Sequence, residues 1–133
     1  MQEVAGLFVT KHDRVPQTLL VFKKGFWFFP GGKQEESEQL EDTLRREIYE
    51  ELHLTLLGDV QKLHDGVFPA INGHYYHFTT FSCRPEQLKG EPLLNPYDSV
   101  TNFLWVDKPW ELNLTDHARF VITRYAHEHM VGS

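Results

Sequence analysis

Apolar residues fall into short runs bounded by turn signals over most of the chain, with one four-residue repeat between them. Residues 3–10 and 17–24 read as strands. Their Val, Leu, Phe and Thr content, with Lys11-His12-Asp13-Arg14 and Pro16 between them, predicts an opening hairpin. Gly25 breaks the pattern, Trp27-Phe28-Phe29 predicts a short strand, and Pro30-Gly31-Gly32 predicts a loop with backbone angles that favour glycine. Leu40, Leu44, Ile48 and Leu52 recur every fourth residue, which predicts a helix from Ser37 as N-cap to about Leu52 with one packed stripe. Residues 59–68 and 74–83 predict two antiparallel strands around Asn72-Gly73, a strong hairpin signal. The stretch 84–100, with Pro85, Gly90, Pro92, Asn95 and Pro96, predicts a long loop of the kind that carries function in a compact domain. Phe103–Val106 predicts a last strand, and Thr115 or Asp116 caps a closing helix containing Phe120, Val121 and Tyr125.

Length and composition narrow the class. At 133 residues the chain fits one domain, 1–133, able to bury roughly two thirds of its unfolded surface. Hydrophobic content of 41% with 24% charged residues excludes a disordered chain. A net charge of −6, from 19 acids against 13 bases, argues against duplex or single-stranded nucleic acid as a partner, so an anionic ligand needs bridging cations. Cys83 is the only cysteine, which excludes an internal disulfide and predicts a free buried thiol in a reducing cytosol. No apolar run approaches the 18 or so residues of a membrane span, and no basic leader opens the sequence; a soluble cytoplasmic protein is expected.

The candidate chemistry sits on the central helix. Glu47, Glu50 and Glu51 stand at i, i+3 and i+4 and share an arc of about 100°. Like charges so placed each cost about 0.2–0.5 kcal/mol, and carboxylates in the last turns also meet the negative end of the helix dipole. Arg46 precedes Glu50 by four residues, the weaker orientation of that pair. The face therefore calls for a cation. Oxygen-only ligands with room for water and phosphate suit Mg2+, or Mn2+ in its place.

Together with the preceding glycines, these residues resemble the Nudix box, G-x5-E-x7-R-E-U-x-E-E-x-G-U, where U is a bulky aliphatic residue. Gly32, Glu38, Arg46, Glu47, Ile48, Glu50, Glu51 and Leu54 match eight of its nine fixed positions at the correct spacing. Average composition gives such a near-match in a chain of this length on the order of once in a hundred thousand. Chain length and strand order resemble the small MutT-like members. The one departure is His53, where the family carries glycine; a left-handed backbone there costs a non-glycine residue roughly 1 kcal/mol.

The resemblance implies an α/β (α+β) Nudix fold, a mixed β-sheet sandwiched between α-helices. It implies a divalent-metal hydrolysis of a nucleoside diphosphate linked to another moiety X. On that basis Glu47, Glu50 and Glu51 hold Mg2+ and Gly32 offers its carbonyl. Arg46 grips a carboxylate with its fork of donors, Glu38 and Gly31 support loop and helix, and Glu50 or Glu51 takes the proton from the attacking water. A further acid in members of the family comes from a later loop. Glu86, Glu91 and Asp98 are the candidates here, and Asp98 is singled out for lying near the next strand.

Outside the box, Lys23 and Lys33 flank the site in sequence and are candidates for phosphate, although lysines near turns are mostly solvated. Trp27, Phe28, Tyr75, Tyr76 and Trp105 are candidates for stacking on a base, with core packing the commoner role. Asp116 lies where MutT-like proteins read a purine edge, and helix capping explains it equally well. His74 and His77 face opposite sides of a strand and His127 and His129 are about 200° apart on a helix, so neither pair suits a transition metal.

The leading reading is a pyrophosphohydrolase of nucleoside triphosphates, including oxidised ones, yielding a nucleoside monophosphate and pyrophosphate. ADP-ribose or another nucleotide sugar is the rival substrate, with Pro69, fifteen residues past the box, as a weak mark. A non-catalytic nucleotide-binding regulator is disfavoured because every box acid is present, and an RNA 5′-end hydrolase is disfavoured by the charge. The family implies a monomer or a homodimer.

Overall fold

The computed structural model describes residues 1–126 and 128. In chain order its elements are β1 (Glu3–His12), β2 (Pro16–Lys23), β3 (Phe26–Phe28), β4 (Gly31–Lys33), α1 (Leu40–Leu52), β5 (Thr55–Leu56), β6 (Gln61–Pro69), β7 (Tyr75–Cys83), β8 (Leu88–Lys89), β9 (Asn102–Val106) and α2 (Asp116–Ala126). Two single 3-10 turns, Pro85–Gln87 and Pro109–Glu111, complete the list.

β1 is the hub of a mixed seven-stranded sheet. Along one edge it pairs in parallel with β7, from Glu3 opposite His77 to Val9 opposite Cys83. Its other edge is shared. The first half pairs with β4, Gly6 opposite Gly31, and the second half pairs with β2, Thr10 opposite Thr18. β1 and β2 therefore diverge, and the turn between β3 and β4 fills the gap, fastened where the Leu7 N–H donates to the Pro30 carbonyl at 2.9 Å.

Alternation along the central strands feeds two cores, one on each face. Ala5, Leu7, Val9, Leu19 and Val21 pack on the α1 side against Leu44, Ile48 and Leu52. Phe8 and Leu20 point the other way and meet Ala118, Val121 and Ile122 of α2. The sheet is thus sandwiched between helices, as the resemblance implies.

Three boundaries differ from the sequence expectation. Ser37 does not cap α1: it sits at φ +70° in the preceding turn, and the helix starts three residues later, with the Thr43 N–H donating to the Gln39 carbonyl. The 84–100 segment is not one loop, since it contains a 3-10 turn and β8, which pairs with β5 through Leu56 opposite Leu88. Strands of two residues leave no periodicity to read. At the closing helix the choice between two caps resolves to Thr115, whose Oγ1 accepts the Ala118 N–H at 3.3 Å, leaving Asp116 exposed in the first turn. Beyond these, Pro30-Gly31-Gly32, expected as a loop, supplies the short strand β4, because Gly31 and Gly32 pair with Gly6 and Ala5 of β1; the other expected boundaries agree to within one or two residues. Of the histidine pairs, His127 and His129 lie outside the described residues. Cys83 is half-buried, and burial pushes its thiol up to about 11. Among the described residues no helix is long and apolar enough to cross a membrane.

Candidate active site

The turn and the helix are locked together by glycines. Gly31 sits at φ +150°, and a Cβ there would run into the Ala5 carbonyl and lie 2.8 Å from the Gly6 Cα. A Cβ on Gly32 would lie 2.6 Å from Glu47 Oε2. Both positions need glycine because backbone or carboxylate occupies the space. Gly31 then donates its N–H to Glu51 Oε1 at 2.9 Å.

Glu51 is only 3% exposed. Burial raises its pKa well above the ordinary carboxylate range; the Gly31 N–H counteracts this, while Glu47 adds to it, Lys23 opposes it and Asp98 adds to it. Burial also raises Glu47, with Arg46 opposing and Glu50 and Asp98 reinforcing. Glu50 lies at the open rim.

Arg46 organises the acids. Its Nε and Nη2 donate to Glu38 Oε2 and Oε1 at 2.7 and 3.0 Å, a two-pronged grip. Nη1 reaches Glu47 Oε1 at 2.9 Å and Glu50 Oε2 at 3.3 Å, and Nη2 also donates to the Lys33 carbonyl at 3.1 Å. Glu38 receives, besides Arg46, the Glu35 N–H and the Thr43 hydroxyl, each at 2.9 Å. Arg46 first, then the Glu35 N–H, hold the Glu38 carboxyl down at about 2.

The long connection after β8 brings the fourth acid. The Leu93 N–H donates to the Leu52 carbonyl at 2.9 Å, His53 Nδ1 lies 3.0 Å from the Leu93 carbonyl, and Asn95 Nδ2 donates to the Glu50 carbonyl at 3.3 Å. These contacts seat the segment on the end of α1. Asp98, its side chain turned to the Val100 N–H at 3.0 Å, then lies within electrostatic reach of Glu47 and Glu51. His53 adopts φ +56°, the left-handed conformation expected at that position. Glu86 instead lies 3.7 Å from Arg84 on the surface, and Glu91 is exposed with no tie to the acids among the described residues.

Beside the acids a cavity of about 210 Å³ opens, bordered by Lys23, Lys33, Phe28, Tyr76, Phe78 and His117. Lys23 and Lys33 thus both face the site. Lys23 Nζ stands 4.8 Å from the Phe28 ring centre and Lys33 Nζ 5.0 Å from that of Tyr76. Asp116 does not border the cavity. Of the aromatic candidates, Phe28 and Tyr76 reach it, whereas Trp27 packs on Phe22 at 5.0 Å, Trp105 lies under Lys11 at 4.6 Å and Tyr75 is exposed. Sequence reasoning missed His117. The available signal was that it precedes Val121 by four residues and so falls on the buried stripe of α2.

Residues 2–122 match the profile of the NUDIX domain family. The chain belongs to the NUDIX domain family. Among curated relatives, this Nudix chain is 43% identical over 51 residues to the 8-oxo-dGTP diphosphatase of Proteus vulgaris, a match spanning 36% of this chain and 46% of the relative. Among solved structures, the MutT mutator protein of Bacillus halodurans superposes with TM-score 0.75 at 25% identity, covering 98% of this chain and 86% of that one. The NUDIX domain of Shewanella oneidensis NrtR, solved with ADP ribose, gives 0.71 at 19% identity over 90% and 82% of the two chains.

Nudix hydrolases generally use divalent metal ions, and the donors here fit one. Asp98 raises the cost of ionising both Glu47 and Glu51, Glu47 adds to that of Glu51, and all three are hard oxygen ligands. Among the described residues no three acidic, histidine or cysteine side chains converge on one point; Glu47 and Glu50 are instead drawn to Arg46.

Proposed function

We propose that this Nudix chain is an Mg2+-dependent pyrophosphohydrolase that cleaves a nucleoside triphosphate, including an oxidised one, to the monophosphate and pyrophosphate. The observation that carries the reading is a buried carboxylate, Glu51, set among Glu47 and Asp98 at the edge of a cavity that offers three lysines, Lys23, Lys24 and Lys33, and several aromatic rings. A cavity below the roughly 300–1,000 Å³ of small-molecule pockets suits one part of a ligand, a planar base, with its phosphates extending to the acids. The named relatives support the substrate class: one is called 8-oxo-dGTP diphosphatase and another MutT.

In this reading Glu47, Glu50, Glu51 and Asp98 hold the metal, with Gly32 offering its carbonyl. Bound there, Mg2+ supplies charge that offsets the phosphates and acidifies a water. The protein does the rest. Lys23 and Lys33 draw in the phosphate chain, and the aromatic walls exclude water from the base. Arg46 holds Glu38, Glu47 and Glu50 at a fixed spacing, from which Glu47 and Glu50 turn to the metal. Glu50, 46% exposed, is the acid best placed to take a proton from water, and buried Glu51 orients the turn through Gly31. ADP-ribose stands as the alternative substrate, favoured by Pro69 on the cavity wall and by the ligand of the Shewanella relative.

The test is a panel of nucleoside triphosphates, ADP-ribose and nucleotide sugars incubated with Mg2+, with the products identified. Release of pyrophosphate from triphosphates, lost in Glu50→Gln and Glu51→Gln, is the expected result. Cleavage of ADP-ribose alone moves the substrate to the alternative, and no cleavage at all overturns the enzyme reading.

A further inference from the structure

His117 is 5% exposed at the inner end of the cavity, stacked on Phe78 with ring centres 4.4 Å apart and met edge-on by Phe29 at 5.4 Å. Its Nε2 lies 2.7 Å from Thr80 Oγ1, and Thr80 is completely buried. Burial, with a smaller contribution from His64, pushes His117 down to about 3, so the ring is neutral at physiological pH and carries one N–H.

Which nitrogen carries the proton follows from Thr80. Its hydroxyl has, among the described residues, no hydrogen-bond partner except His117 Nε2. If Nε2 were protonated, the Thr80 hydroxyl would accept from it and bury its own proton without an acceptor, which costs a buried hydroxyl its full desolvation. With Nε2 as acceptor the hydroxyl donates and both groups are satisfied. The proton therefore sits on Nδ1. That nitrogen makes no hydrogen bond within the described residues, and it is not sealed in either: among those residues the buried side-chain atom left without a partner is Nδ1 of His64. His117 Nδ1 is open to the cavity.

We propose that His117, locked by Thr80 with its proton on Nδ1, selects the base of the bound nucleotide by donating to a carbonyl oxygen on the base edge. This rests on the reading of the cavity as a base site. A base that turns an amino group to the same point sets donor against donor and leaves both unpaired, which is how a buried polar group rejects a near-isostere. Nucleotides of keto bases are the favoured class. Thr80 is a positioning residue that acts through His117.

The test has two arms. In the first, nitrogen NMR of the 15N-labelled full chain near neutral pH reads the His117 ring directly. A protonated Nδ1 and an unprotonated Nε2 are expected, with the preference lost in Thr80→Val and restored in Thr80→Ser. In the second, kcat/KM is compared for inosine and adenosine triphosphates, which differ on the base edge alone, a C6 carbonyl beside an N1–H against a C6 amino group beside a bare N1. The wild type favours inosine triphosphate by about tenfold or more, and His117→Phe, which keeps a ring against Phe78, removes the preference. A proton on Nε2, a wild-type preference for adenosine triphosphate, or an unchanged ratio in His117→Phe overturns the proposal while the hydrolase reading stands. If neither nucleotide is turned over, the reading of these triphosphates as substrates fails. Equilibrium binding of the same two nucleotides, followed by the His117 Nδ1 shift, then decides the proposal by the same ratio.

Discussion

Gly31 and Glu51, twenty residues apart, are joined by a hydrogen bond of 2.9 Å from the Gly31 N–H to Glu51 Oε1. It ties the turn that enters the gap between β1 and β2 to the last turn of α1. Because Gly31 faces the Ala5 carbonyl at φ +150°, Gly31→Ala has no unstrained place for its methyl. The variant is expected to lose about 2 kcal/mol or more of unfolding free energy in urea and most of its turnover. Unchanged stability would show that the turn is looser than described.

Glu51→Gln is expected to move stability the other way. A buried carboxyl with a raised pKa binds its proton more tightly in the folded than in the unfolded chain, so stability falls as pH rises from the ordinary carboxylate range through the raised value. Glutamine keeps an oxygen for the Gly31 N–H and removes the charge. Without divalent ions at neutral pH the variant should gain about 1–2 kcal/mol while losing turnover, the exchange of stability for activity expected of a strained site. Urea unfolding of both proteins at neutral and mildly acidic pH checks the gain and its decrease towards acid.

Arg46→Lys retains the charge and loses the fork that grips Glu38 at 2.7 and 3.0 Å while reaching Glu47. Turnover is expected to fall about 10–100-fold, the usual penalty for removing a residue that orients ligands. A full-rate lysine variant would mean that positive charge alone suffices.

The helix and its acidic arc were legible because both rest on spacing: Leu44, Ile48 and Leu52 face the core and Glu47, Glu50 and Glu51 lie beside them, as a 3.6-residue period requires. What spacing does not encode is depth. Spacing sets Glu51, seven residues past Leu44, on the flank of the packed stripe and Glu50 off it, but the full burial of Glu51 depends on the turn carrying Gly31. Asp98 was a candidate on position alone. Its approach to the acids depends on Leu93 and Asn95 docking on the end of α1, contacts across more than forty residues. Ser37 misled because a good capping residue also suits a left-handed turn, and His117 stayed hidden because pairwise histidine spacing says nothing of a single ring beneath a cavity.

On β7, between β1 and β6, His77 spans two carboxylates, with Nδ1 2.7 Å from Glu3 Oε1 and Nε2 2.8 Å from Asp65 Oδ1. Carboxylates only accept, so both ring nitrogens carry protons, and first Glu3, then Asp65, raise the imidazole above 6.5. The sign follows: this contribution is complete below the ordinary histidine value and is lost as pH rises through the raised one. The melting temperature should decline on the alkaline side of about pH 6 in the wild type and less steeply in His77→Gln. Parallel curves would remove His77 from the pH dependence.

His53 poses a balance of two terms. Glycine at this left-handed position relieves about 1 kcal/mol of backbone strain and gives up the bond from the ring to the Leu93 carbonyl, worth about 0.5–1.5 kcal/mol. His53→Gly should therefore stay within about 1 kcal/mol of the wild type, and His53→Ala, which loses the bond and keeps the strain, should be less stable than both. Denaturant midpoints of the three proteins rank them.

The most direct test of the central claim, that the acidic edge of α1 seats a divalent cation, is Mn2+ uptake by the purified chain, followed by the loss of the free-ion signal in electron paramagnetic resonance. Saturable uptake by the wild type that Mg2+ displaces, sharply weakened in Glu47→Gln and Glu51→Gln, is the predicted result. Equal uptake by all three proteins, or none by the wild type with or without nucleotide, would contradict it.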